Sequence, residues 1–392
     1  MRIILDGMGG DNAPAEIVKG AAKASILIDH EICIVGDKKL IKAELNKNDY
    51  VEGNISIHHA SEVITSEEKP VQAIRTKKDS SMVVGLNLVK NGEGDAFISA
   101  GNSGAIMSGG LLLLGRIKGM DRPALGAPFP DLATNRMQLL VDAGANSECK
   151  PINLVHFAIM GSTYMKEVIG EANPRVGLVN MGTEPNKGNT LLKETYPMLS
   201  RSSESGIINF IGNVEARDIP QGVCDVIVCD GMTGNVILKL TEGVALSVMG
   251  LLMSKMKSSP IALAGAALMK SKLSEIKEAF DYTEYGGAPV LGIKHPVIKI
   301  HGSSDANAVK NGILKGIPFV EKGVVGLIES AVTRLGNSAE TGEAGEVAET
   351  GKTGGSTETL KTGGSAGAAD TTEVPEAHEN AGAIEKGEAD GR

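Results

Sequence analysis

The chain has 392 residues, 42% of them apolar and only 3% aromatic, with no tryptophan, so one large or two ordinary domains with a Val, Ile, Leu, Ala and Met core are expected. Its formal charge of -9 is uneven: residues 337–392 hold 12 acids and 4 bases, while the first 336 hold 36 acids and 35 bases. That balance implies no nucleic-acid partner, and four cysteines without Cys-x-x-Cys spacing fit a reduced cytoplasmic compartment.

The chain opens on "RIILD" (2–6), which runs straight into the turn "DGMGGDN" (6–12) without the longer apolar stretch and cleavage site of a signal peptide. Short β-branched runs then recur at 31–37, 54–60, 95–101, 138–144, 175–182, 208–213 and 225–231, with helical stretches between them. Such runs predict an α/β fold with a doubly wound, mostly parallel sheet. Ligands of such sheets bind beyond the carboxyl ends of strands, where glycine loops and the next helix expose unpaired N–H groups.

Four strand ends carry that chemistry: "DGMGGDN", "SAGNSGA" (99–105), "DAGAN" (142–146) and "DGMTGN" (230–235). They nominate Asp6, Gly9, Gly10, Asp11, Asn102, Ser103, Gly104, Asp142, Asn146, Asp230, Gly231, Gly234 and Asn235 as site residues. Glycine turns after strands are also ordinary in any α/β protein, and Asn12 stands where a dinucleotide fingerprint needs its third glycine.

In "VNMGTEPNKGN" (179–189), Gly182 ends a strand and Lys187 precedes a helix expected to start near Asn189, an arrangement for clamping an anion or simply a solvated lysine. "GNVEARD" (212–218) sets Glu215, Arg217 and Asp218 beyond another strand, where an internal salt bridge is the plainer reading. The spatial expectation is that Gly9, Asn102, Asn146, Lys187 and Asn235 surround one pocket.

From about residue 236 the pattern changes to long helices, with a pair at about 240–281 broken at Pro260. Ala262, Ala266, Met269, Leu273, Ile276 and Phe280 form one apolar stripe. Between Leu251 and Lys272 stand Lys255, Lys257, Lys270 and Lys272 and no acid. With Leu263, Leu268 and Met269, these lysines suit an anionic membrane surface or an acidic partner, while a dimer or core helix explains the same spacing. No 18 apolar residues run together, so no membrane span is expected.

"HGSSDANAVKN" (301–311) places His301 before a helix that Ser303 or Ser304 is expected to cap, with Asp305 adding favourable charge. The domain is expected to end near 335, and the Gly, Glu, Thr and Ser-rich tail of 336–392 to be disordered. No Gly-x-Ser-x-Gly elbow and no His-Glu-x-x-His pair occurs, so neither an acyl-serine nor a bound metal is supported and no cofactor is expected.

"DGMGGDNAP" (6–14), "GRIKGMDRPAL" (115–125), "SAGNSGA", "VDAGAN" (141–146), "GTEPNKGN" (182–189), "FIGNVEARD" (210–218), "DGMTGNVILK" (230–239), "YGGAPVLG" (285–292) and "HGSSDANAVKN" together resemble the phosphate acyltransferase (PlsX) family of bacterial phospholipid synthesis. The likeness runs in order from residue 1 to about 333. It implies a fold akin to phosphotransacetylase and isocitrate dehydrogenase-like enzymes. It also implies transfer of a fatty acyl group from acyl carrier protein to inorganic phosphate, a homodimer, and a cytoplasmic enzyme loosely associated with the membrane, where a glycerol-phosphate acyltransferase consumes the product.

Phosphate is itself a nucleophile toward a thioester, so the missing nucleophile motif fits. In this reading Lys187 or Asn235 holds the oxyanion, while Asp6, Asp142 and Asp230 orient donors or protonate the leaving thiolate. An acyl-coenzyme A/phosphate transferase and a non-catalytic scaffold binding carrier protein and membrane stay open as alternatives.

Overall fold

The computed structural model describes residues 1–349 except 135, 270 and 273–285. Among these, eleven strands form one sheet: β1 (Arg2–Asp6), β2 (Glu31–Gly36), β3 (Ile55–His59), β4 (Ala96–Ser99), β5 (Ala124–Asp131), β6 (Arg136–Val141), β7 (Arg175–Asn180), β8 (Asn209–Glu215), β9 (Val226–Val228), β10 (Ala288–Leu291) and β11 (Val297–Lys299), in the order β3-β2-β1-β4-β11-β10-β5-β6-β9-β7-β8. The helices are α1 (Ala15–Ser25), α2 (Lys38–Leu45), α3 (Pro70–Thr76), α4 (Ser81–Lys90), α5 (Ser103–Gly109), α6 (Pro151–Tyr164), α7 (Thr190–Glu204), α8 (Gly231–Met256), α9 (Pro260–Leu268), α10 (Ala306–Glu321) and α11 (Val324–Glu349).

Alternation along the strands explains the layers, because successive side chains point to opposite faces. Ile3, Leu5, Ile32 and Ile34 pack with Ile17 and Val18 of α1 and Val309 and Ile313 of α10. Ile4, Cys33, Val35 and Phe97 pack with Val83 and Leu86 of α4. The sheet is thus doubly wound and mostly parallel, as the sequence predicts.

All eight anticipated strand runs are present, and three strands went unread. In "ALGAPFPD" of β5, Gly126, Pro128 and Pro130 argue against a strand. On β5, β10 pairs with Ala124 and Leu125 alone, so both prolines lie where β5 has a ladder partner on the β6 side alone. β10 and β11 are four and three residues long, too short for a periodic signal.

These three strands decide the topology. β3-β2-β1-β4-β11 are parallel, and so are β6-β9-β7-β8, but β11–β10, β10–β5 and β5–β6 are each antiparallel. The two halves of the sheet therefore run in opposite directions.

α8 starts in the core at Gly231 and Gly234, its only buried residues. Beyond them it exposes Leu240, Val244 and Leu251 on one side and Leu246 and Met253 on another. By length and composition alone it is able to cross a membrane; Lys239, Glu242 and Lys255 interrupt its sequence, so no 18 apolar residues run together. The break at Pro260 is as expected, with Ser259 capping α9 through Ala262 N–H (3.1 Å). Of the nominated stripe and lysines, Leu273, Ile276, Phe280 and Lys270 lie outside the described residues.

α11 continues across the expected boundary at 335/336 to Glu349; residues 350–392 lie outside the described residues. All four cysteines are free, and Cys33, Cys224 and Cys229 are buried.

Candidate active site

Asp6 closes β1 fully buried, and its carboxylate accepts the Ser99 hydroxyl (2.7 Å) and Met8 N–H (3.2 Å), tying the ends of β1 and β4 together. Burial pushes its pKa up, and these hydrogen bonds counter the push. Gly9 has to be glycine: a Cβ there would stand 2.5 Å from Asp6 Oδ2 and 2.9 Å from Gly101 N. Asp11 N–H donates to Gly302 O (2.8 Å) and Asn12 Nδ2 to Ser303 O (3.2 Å), which joins the first loop to the His301 loop. Lys299, at the end of β11, pairs with Ser99 of β4.

These loops enclose a cavity of about 540 Å³. Its walls include Gly10, Asp11, Asn102, Ser103, Gly104 and His301, all nominated from sequence, together with Lys239 and Lys299, which were not. α5 starts at the cavity, with Asn102 Oδ1 accepting Ala105 N–H (3.1 Å) as its cap. The N-terminal N–H groups of a helix bear partial positive charge, and Lys239 and Lys299 add to it.

Burial and mutual repulsion both work against charge on these basic groups. Burial, then Lys239, pulls the Lys299 pKa down, and burial, then Lys299 and Lys239, pulls His301 down. An anion seated among them would relieve both shifts. His301 Nδ1 accepts Ser303 N–H (3.2 Å) and lies 2.8 Å from the Ser303 hydroxyl. The serine so engaged does not cap α10; that role falls to Asp305, which accepts from Asn307 and Ala308 N–H.

A second cavity of about 300 Å³ adjoins the first, sharing Ser103, Gly104 and Lys299. It is lined by Pro70, Val71, Ile106, Met107, Leu125 and Val290, with Gly144 and Ala145 from the loop after β6.

That loop is organised by Asp142. Its carboxylate accepts from Leu125 N–H (2.9 Å), Ala145 N–H (3.1 Å), Asn146 N–H (2.7 Å) and Asn146 Nδ2 (2.9 Å), while burial raises its pKa against them. Gly231 N–H donates to Asn146 O (2.8 Å), and Asp230 caps α8 through Thr233 N–H (3.0 Å). Gly234 lies directly on Asp142 O, leaving no room for a Cβ. Asp6, Asp142 and Asp230 thus orient backbone donors.

The expected single pocket is not what forms. Of the five, Asn102 alone lines the basic cavity, where Gly10 stands in place of Gly9; Gly144 and Ala145 line the apolar one, and Gly9, Asn146, Lys187 and Asn235 line neither. The Asn146 amide is held by Pro123 O and Asp142, and Asn235 lies beside Gly144. Lys187 is exposed in the loop between β7 and α7, its carbonyl accepting from Asn180 Nδ2 (3.1 Å), near Gly182 and ahead of the Asn189 cap.

The reason is the inverted sheet. Carboxyl ends of β7 and β9 do not share an edge with those of β1 and β4; the loop after β6, nearest the linking strands, and α8, which carries Lys239, are the parts of the second half that line these cavities. Elsewhere the plainer readings hold: Arg217 pairs with Glu215 (2.6 Å) and Asp218 (3.7 Å). Burial lifts the thiols of Cys149 to about 11 and Cys224 to about 12, and raises Cys33 and Cys229, so none is a thiolate nucleophile at neutral pH.

A doubly wound sheet with a glycine-walled cavity at a helix N-terminus defines the class: an α/β protein with a basic cavity at the ends of β1, β4 and β11. A family model described as "Fatty acid synthesis protein" matches residues 1–327. The chain is 52% identical over 337 residues to the phosphate acyltransferase of Alkaliphilus oremlandii (86% of this chain, 99% of the relative) and 48% identical over 343 residues to that of Clostridioides difficile (88% and 99%). It belongs to the phosphate acyltransferase (PlsX) family, as the nine motifs imply. Its fold is shared with a phosphotransacetylase from Streptococcus pyogenes (TM-score 0.54, 16% identity, 82% of this chain and 94% of that one) and the EutD phosphotransacetylase from Staphylococcus aureus (TM-score 0.53, 17% identity, the same coverage).

Proposed function

We propose that the protein transfers a fatty acyl group from acyl carrier protein to inorganic phosphate, releasing acyl phosphate for phospholipid synthesis. The basic cavity carries this reading: Lys239, Lys299, His301 and the α5 N-terminus line one small polar space. Family membership supplies the acyl donor.

Hydrogen phosphate held there attacks the thioester carbonyl, forming a C–O bond as the carbonyl electron pair moves onto oxygen. Collapse of that oxyanion breaks the C–S bond, the pair leaves with sulfur, and the proton carried by hydrogen phosphate ends on the thiol. Lys299 and the N–H groups of Ser103 and Gly104 stabilise the oxyanion, a role worth about 3–4 kcal/mol per well-placed donor. Asp6, Asp142 and Asp230 act through the loops they hold. Lys187 and Asn235, the oxyanion donors suggested by sequence, stand outside both cavities.

The test is release of carrier thiol on addition of phosphate, with acyl phosphate trapped by hydroxylamine. Thiol release independent of phosphate overturns the reading, and a stronger response with acyl-coenzyme A moves it to the phosphotransacetylase alternative. The exposed α8–α9 surface, with Lys255, Lys257, Leu263, Leu268, Met269 and Lys272, is assigned to an anionic membrane surface, consistent with a cytoplasmic enzyme peripherally attached where a membrane-bound glycerol-phosphate acyltransferase takes its product. A second copy of the chain completes a homodimer in this reading.

A further inference from the structure

One stretch of chain borders both cavities. Val63, Ile64, Thr65 and Ser66 line the basic cavity, and Pro70 and Val71 line the apolar one. Asn102 Nδ2 donates to Thr65 O (3.2 Å) and Ser66 O (3.1 Å), while Lys77 Nζ donates to Val63 O (2.7 Å) and pairs with Glu68 (2.8 Å). The Asn102 amide is thus committed to positioning this strap across the start of α5.

We propose that the apolar cavity takes the acyl chain of the thioester, with its carbonyl at the shared wall of Ser103, Gly104 and Lys299. This assignment rests on the phosphate-acyl transfer proposed above. The reacting carbon has to come within about 3–3.5 Å of the attacking oxygen, so an acyl chain leaves the basic cavity through whatever space adjoins it. A hydrocarbon chain laid among Lys239, Lys299 and His301 would strip them of water without replacing it. Across the shared wall, Pro70, Val71, Ile106, Met107, Leu125 and Val290 offer an apolar surface, and Lys299 is the one charged residue of its lining. Each methylene buried there is favoured by its removal from water.

Val71 is 46% exposed on α3 and Met107 is half-buried on α5, so Val71→Trp and Met107→Trp narrow the cavity with little repacking of the core. With hexadecanoyl- and butanoyl-loaded carrier protein as donors, the long-to-short ratio of kcat/KM falls at least tenfold in either variant, and the KM for phosphate stays within twofold. A ratio that holds in both variants overturns the assignment. Binding of a dansyl-labelled undecanoic acid to the resting protein separates this from the reaction itself. Weakening of at least tenfold in Val71→Trp supports the acyl cavity even where the parent shows no phosphate-dependent thiol release, a result that defeats the proposed reaction alone; equal binding by parent and variants defeats the cavity assignment.

Discussion

Lys299 has no motif of its own in the sequence, yet it sits where both cavities meet and where three basic side chains converge. Replacing it with Met is expected to lower kcat/KM for phosphate by about 10² to 10³, the loss typical of one oxyanion donor. Lys187→Ala, outside both cavities, is expected to cost less than tenfold; the same thiol-release assay ranks the two. The groups facing Lys299 are Lys239, Glu242 and His301, with Asp11 beside His301. Because burial and Lys239 lower its pKa, the ammonium is present on the acid side and is lost, as pH rises, earlier than in an ordinary lysine. Phosphate KM therefore rises with pH through that lowered value. Lys299→Arg, whose guanidinium keeps its proton, removes the alkaline rise; a profile unchanged in that variant would assign the rise to another group.

At the scale of the element, the turn after β6 is the joint between the two halves. Its shape depends on Asp142 accepting only N–H groups, so Asp142→Asn keeps the volume but turns an NH₂ toward backbone donors. A loss of about 2–4 kcal/mol in unfolding free energy is expected, read from denaturant midpoints, because buried donors lose their acceptor. The glycine loops were legible because their signal is local: Gly9 and Gly234 stand where a Cβ would meet Asp6 or Asp142. β5 was not legible, since its prolines speak against a strand until the end of β10 shows that nothing pairs with them on that side. Asn102, expected on its loop to meet substrate, lines the basic cavity and also serves as helix cap and tether for the strap.

For the whole molecule, the exposed apolar helices are the largest feature the core does not explain, with Leu268 90% and Ile261 87% exposed. If this surface meets lipid, Leu268→Glu releases the protein from anionic vesicles in a flotation assay while soluble turnover stays within twofold; loss of turnover with vesicle binding intact would assign the surface to the carrier protein. Legible from the sequence alone were the doubly wound class, eight of the strands, the helix starts near Asn189 and Pro260, and the family. Those are properties of short windows, set by side-chain alternation, glycine conformation and capping chemistry, or of motifs in order. The three-dimensional fold alone shows that the sheet reverses through β10 and β5, that the expected residues divide between two cavities and the surface around them, and that Lys239 and Lys299 join His301 in the first cavity. Such convergence depends on contacts between segments far apart in the chain, and no local pattern of residues encodes which distant strand end will lie beside another.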